Sequence, residues 1–250
     1  MRETILNKLI EIESRENIRI LLAVESGSRA WGFASPDSDY DVRFIYVRPR
    51  EDYLRLEKRR DVIELPIEGE LDINGWDLNK TLRLLRASNP TLFEWFSSPI
   101  IYRETAFARE FRNVMQQYFY SRRGLNHYLS MAGSNYREYL KGETVKAKKY
   151  FYVLRPVLAC RWILDKDTPP PMLFSELMDA ELDSALLPDV NRLLDLKTNA
   201  PEIKTIPKIE SINRYLESSI EEVRSRIVRL PEEVNHGWEE LNQLFLSQLG

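Results

Sequence analysis

One cysteine in 250 residues, Cys160, excludes an intrachain disulfide and points to a reducing compartment. Only two histidines occur, His127 and His236, and neither has a Cys or His partner at ligand spacing, so a zinc site is not expected. No apolar run is long enough to read as a signal peptide or a membrane span, and the expected location is the cytoplasm. Neither charge dominates. Lys and Arg total 36 against 39 Asp and Glu, a formal net charge of −3, which argues against a broadly basic nucleic-acid coat but leaves room for a local basic stripe. Repeats and low-complexity tracts are absent.

What is present is an ordinary globular composition, 43% hydrophobic and 30% charged, long enough for one large domain or two modest ones. The N-terminal stretch places Ile5, Leu9 and Ile12 at helical spacing. "IRILLAVES" then reads as a buried strand ending at Gly27, followed by a short turn "RAWG" and a Ser/Pro/Asp loop. "DYDVRFIYV" alternates, with Tyr40, Val42, Phe44 and Tyr46 on one face and Asp41, Arg43 and Ile45 on the other. "DVIELPI" and "LDINGW" predict two more strands around a turn at "PIEGE".

From Asp77 the period changes to helical, and Asn89-Pro90 restarts the chain into another helix. Further helices are predicted at 104–122, 124–140, 144–165 and 208–228, with a last one from about 236, and "DKDTPPPM" reads as a rigid connector. The expected fold class is α+β: a small mixed β-sheet domain over residues 1–102, then a helical domain over 103–250 forming the second wall of a cleft.

The chemistry concentrates in "SGSRAWGFASPDSDYD" (26–41). Asp39 and Asp41 lie two residues apart at a strand start, so their side chains leave the same face. Carboxylates held side by side suit a hard divalent cation such as Mg²⁺, with Mn²⁺ as an alternative. A third carboxylate on a neighbouring strand would admit a second metal and an in-line displacement, and Asp72 in "LDI" is the candidate. Asp77, just ahead of an apolar-periodic helix, reads as its N-cap, and Asp37 as a loop-ordering residue beside Pro36. Gly27 lets the backbone turn sharply and lie close to a ligand, and with the Ser28 hydroxyl and the following N–H groups it is a candidate phosphate-binding turn. The competing reading of the aspartates is a solvated turn.

A Gly-Ser turn after a strand, a gap of about ten residues, Asp-x-Asp opening the next strand, and a later strand aspartate resemble the DNA polymerase β–type nucleotidyltransferase superfamily. The wider stretches "DINGWDLNKTLRLLRASNPTLFEWFSSPIIY" and "KKYFYVLRPVLACRWI" resemble its RNA-repair-pathway DNA polymerase beta family, a group of expected nucleotidyltransferases, to about residue 230. The resemblance implies Asp39, Asp41 and Asp72 as metal-binding catalytic residues, Gly27 and Ser28 as phosphate ligands, an NTP such as ATP as substrate, and Mg²⁺. The acceptor stays open among an RNA 3′ end, a protein hydroxyl receiving AMP, and a small molecule. A nucleotide-binding regulator without catalysis is the reading of another class.

Outside the motif, Lys80 lies one turn into the helix after the third strand and is a candidate phosphate ligand or a solvated lysine. Lys141, Lys148, Tyr152 and Arg155 fall on one side of a later helix and form a candidate nucleotide or nucleic-acid stripe, or a solvated face. Pro156 is expected to kink that helix. Trp31 and Trp76 are expected in the core.

Overall fold

The apolar run after the first helix forms a strand because its branched side chains find cover on both faces. The computed structural model describes residues 1–199, 205–231 and 236–249. It opens with α1 (Arg2–Glu16), β1 (Arg19–Glu25), a single helical turn α2 (Gly27–Ala30) and β2 (Tyr40–Val47). After the short α3 (Arg50–Tyr53) come β3 (Val62–Glu64), β4 (Leu71–Asp77), α4 (Leu78–Arg86), α5 (Pro90–Phe96), β5 (Ile101–Glu104) and α6 (Ala106–Met115). The strands form one sheet in the order β3-β4-β2-β1-β5. The β2–β4 pair is parallel, and the other pairs are antiparallel. The class is α+β with a mixed sheet.

Every residue of β1 except Arg19 is buried. On one face Ile5, Leu9 and Ile12 of α1 pack with Ile20, Val42, Phe44, Tyr46 and Ile73. On the other, Ile45 and Val47 join Leu82 and Leu85 of α4, Phe93 and Phe96 of α5, and Phe107 and Phe111 of α6. Trp76 lies against Trp95 with ring centroids 3.9 Å apart, a core role. Because α6 joins this core, the sheet unit runs to Phe119, past the boundary expected near 102. It comprises Met1–Ala30, Asp39–Phe119 and the described part of Val234–Gly250.

The helical unit contains Trp31–Ser38 and the described part of Tyr120–Glu233. Its elements are α7 (Ser121–Tyr139), β6 (Thr144–Lys146), α8 (Ala147–Lys166), α9 (Phe174–Glu181), α10 (Leu187–Asn199), β7 (Thr205–Pro207) and α11 (Glu210–Ile227). The last helix, α12 (Glu239–Ser247), returns to the sheet unit and buries Leu241 and Leu244 there. The core of the helical unit is built on Tyr150, Phe151, Leu154 and Leu158 of α8, which continues through Pro156. Residues 144–146 are a strand paired with β7, not the helical turn expected there. α9 and α10 were not predicted: they are short, and Phe174, Leu177, Val190 and Leu193 become core only against α8. β5 also escaped the sequence reading, since four half-buried residues give no period. No helix among the described residues is long and apolar enough to cross a membrane.

Asp77 caps α4, its side chain accepting from the Asn79 N–H at 2.8 Å. It is also buried and accepts from the Tyr53 hydroxyl at 3.0 Å. Asp77→Ala therefore removes a cap and the acceptor of the half-buried Tyr53 hydroxyl, and a loss of about 1–3 kcal/mol in denaturant melts is expected.

Candidate active site

The parallel register sets Asp41 of β2 directly opposite Asp72 of β4. Paired residues share a face, so both carboxylates emerge on the same side at the N-terminal ends of their strands. Arg43, two residues beyond Asp41, rises on that face as well. One guanidinium nitrogen, Nη2, donates to Asp41 Oδ1 at 2.9 Å and to Asp72 Oδ2 at 2.7 Å. The other, Nη1, donates to the carbonyls of Asp72 at 3.1 Å and Val42 at 3.2 Å. All four N–H bonds of the two Nη atoms thus have acceptors.

The second carboxylate oxygen of Asp41 faces Gly27. That glycine has φ +60°, and a Cβ built on it would overlap the Asp41 carboxylate, 2.9 Å from Cγ. Both the left-handed backbone and the close approach require glycine here. The turn is tied to the strand by the Ser26 N–H, which donates to the Asp41 carbonyl at 2.8 Å. Ser28 follows in α2, half-buried. Asp39 is exposed, and its carbonyl accepts from Arg29 Nε at 3.1 Å while the Arg29 guanidinium lies 3.6 Å from the centre of the Tyr40 ring.

Glu25, fully buried at the end of β1, lies beneath this group. One of its oxygens accepts from the Asp41 N–H at 2.7 Å and the other from the Tyr102 hydroxyl. Burial pushes the Glu25 carboxyl above its ordinary range, against the opposing effect of the Tyr102 hydrogen bond. Burial also raises Asp41, Arg43 opposes it, and the charges of Asp72 and Asp39 add to the rise.

Asp41 and Asp72 converge on a single cationic atom, the arrangement a hard divalent ion needs from its oxygen donors. As the side chains stand, no group of three His, Cys, Asp or Glu among the described residues is arranged to hold a metal ion. Two carboxylates of this kind are oxygen donors of the type a hard divalent ion takes, and Asp39 is a third acid near enough to act on the charge of Asp41.

A family model described as the RNA repair pathway DNA polymerase beta family matches residues 1–247. The chain belongs to that family. It is 45% identical over 249 residues to the Bacillus subtilis (strain 168) "Uncharacterized protein YcgL", covering 99% of this chain and 96% of that protein. Among solved structures it matches a nucleotidyltransferase-like protein from Exiguobacterium sibiricum 255-15 with a TM-score of 0.33 and 11% identity, over 90% of this chain and 75% of that one. The polymerase beta family name associates the chain with nucleotidyl transfer.

Of the other residues singled out from the sequence, Lys80 belongs to the sheet unit and Lys148, Tyr152 and Arg155 to the helical unit. Lys80 is in α4, which starts where β4 ends, about 16 Å along the strand from Asp72, and it pairs with Asp61 at 3.3 Å. The direction of β4 is the reason: its N-terminal end carries the carboxylate and its C-terminal end feeds the helix. Arg155 is buried in the helical unit, with its guanidinium 4.9 Å from the centre of the Trp31 ring, so the solvated stripe does not include it. Tyr152 is half-buried under the Lys149 ammonium, 4.8 Å from its ring centre, and Lys148 is half-buried on α8. Arg43, Glu25 and Tyr102 were not assigned roles. Arg43 sits at i+2 from Asp41 on a strand and Glu25 ends an apolar run, and both were usable signals.

Two outcomes test this geometry. Gly27→Ala should lower the melting temperature and disturb Asp41. Combined with Asp41→Ala it should cost less than the sum of the two single changes, because the clash is relieved; strict additivity in a double-mutant cycle would refute the close approach. The raised Glu25 carboxyl favours the folded state fully below the unfolded value near 4.5, and that contribution is lost as pH rises through the higher folded value. Glu25→Gln has no such loss. The stability of the native chain relative to Glu25→Gln should fall from pH 4 towards pH 8 in denaturant melts.

Proposed function

We propose that the chain transfers a nucleoside monophosphate from an NTP to an acceptor hydroxyl. The acceptor oxygen bonds to the α-phosphorus, the bond from that phosphorus to the bridging oxygen breaks, and pyrophosphate leaves. The observation that carries the reading is the convergence of Asp41 and Asp72 on one cation beside the Gly27 turn. Asp41 and Asp72, with Asp39, would hold Mg²⁺ or Mn²⁺, which supplies charge neutralisation at the phosphates and a more acidic acceptor hydroxyl. Gly27 and Ser28, at the turn that opens α2, are the residues we assign to the β- and γ-phosphates, with the Ser28 hydroxyl and the N–H groups that follow as donors. Glu25 and Tyr102 hold the Asp41 backbone and so position its carboxylate.

An RNA 3′ end is the acceptor we favour, on two supports. One is the RNA repair description of the family. The other is a pocket of about 540 Å³ in the sheet unit, at the Asp77 end of β4 and not at the Asp72 end, lined by Arg48, Arg55, Lys58, Arg59, Arg60 and Arg83 alongside Asp52, Glu57, Asp61 and Asp77, which speaks for an RNA strand and not for the position of its reacting end. Cations in excess at a concave surface suit a phosphate backbone. We place the enzyme in the cytoplasm, in keeping with its single cysteine.

Arg43 seated between the carboxylates favours a second reading, a nucleotide-binding regulator that does not catalyse. Incubation with each α-³²P-labelled NTP, Mg²⁺ or Mn²⁺, and separate pools of RNA and protein distinguishes the two. Label on RNA that disappears in Asp41→Asn is expected. Label on protein would make the acceptor a protein hydroxyl, and binding without transfer to any pool would leave the regulator.

A further inference from the structure

Two ionised carboxylates brought side by side by strand register repel, and the chain answers with its own cation. From this geometry we infer that Arg43 is a resident counter-ion competing with the divalent metal: the metal enters only as the guanidinium leaves. The inference rests on the nucleotidyl-transfer reading of the same residues.

Three observations carry it. Arg43 Nη2 lies 2.9 Å from one oxygen of Asp41 and 2.7 Å from one oxygen of Asp72, so it takes the place where their charges converge. A divalent ion binds carboxylate oxygen at about 2.1 Å, and an ion at that point and a guanidinium there would overlap as well as repel. Finally, the guanidinium has somewhere to go. Arg43 is opposite Asn74 in the β2–β4 register, and Asn74 Oδ1 is buried with no hydrogen-bond partner among the described residues. A buried carbonyl oxygen lacking a donor is costly, so an arriving N–H group is stabilised there.

The consequence is weak metal binding by the protein alone. A triphosphate that arrives with its own metal adds negative charge, which offsets the displacement of Arg43 and makes metal loading conditional on nucleotide. Aspartates without such a counter-ion would take free Mg²⁺ continuously.

The test is Mn²⁺ binding to the full chain, read by electron paramagnetic resonance of free Mn²⁺ without nucleotide and, with a non-hydrolysable NTP analogue, as the uptake beyond that of the analogue alone. Arg43→Met keeps much of the side-chain length and removes the charge, and it should bind Mn²⁺ at least ten-fold tighter than the native chain without nucleotide. Arg43→Lys keeps the charge without the fork and should fall between the two; circular dichroism melts identify any variant that fails to fold, leaving the other to decide. Asn74→Leu should weaken Mn²⁺ binding in the native background and leave Arg43→Met unchanged. Equal or weaker binding by folded Arg43→Met and Arg43→Lys overturns the competition, while nucleotide-dependent Mn²⁺ binding by the native chain would keep the transfer reading alive. No Mn²⁺ binding by any form, even with nucleotide, overturns both.

Discussion

The end of the sheet that carries Asp41 and Asp72 is governed by one electrostatic constraint. Parallel pairing of β2 with β4 sets Asp41 beside Asp72 on one face, both only partly exposed to solvent. Water screens such a pair incompletely, so a cation must neutralise it. Arg43 does so from the same strand, where a period of two returns it to the same face. Strand pairing, side-chain alternation and charge balance therefore meet at three residues.

The surrounding structure keeps that register from slipping. A one-residue shift of β2 would turn Asp41 and Arg43 towards the α1 core and send Val42 and Phe44 to the other face. Buried residues on both sides of the sheet forbid this. Glu25 adds a local constraint by accepting the Asp41 N–H while its other oxygen takes the Tyr102 hydroxyl from β5. Gly27 closes the group from the turn, with no side chain to push Asp41 away. The chain then leaves the sheet unit after Ala30 and rejoins it at Asp39. In between, Phe33 sits in the helical core and Ser35 and Ser38 accept from the buried Lys197 ammonium at 2.7 and 3.3 Å.

Much of the sheet unit was legible in advance because its signals are local. Ile5, Leu9 and Ile12 repeat at helical spacing and are all buried. β2 alternates, and Asp77 precedes an apolar helix and caps it. The Gly-Ser turn and the spaced aspartates were legible for another reason, since chemistry restricts which residue types can occupy them. Less of the helical unit was readable. α9 and α10 acquire a buried face only by packing on α8, and β6 exists only because β7 pairs with it from about sixty residues away.

The sequence by itself determined the α+β class, the period of each long element, and the set of acidic residues near the Gly27 turn, because periodicity and residue chemistry belong to the chain. Only tertiary structure decided which of them meet. Register placed Asp72 opposite Asp41, strand direction carried Lys80 to the other end of the sheet, and burial took Arg155 out of solvent. It also gave Arg43 its role, since a guanidinium becomes a counter-ion only when a second strand brings the second carboxylate within reach of its fork.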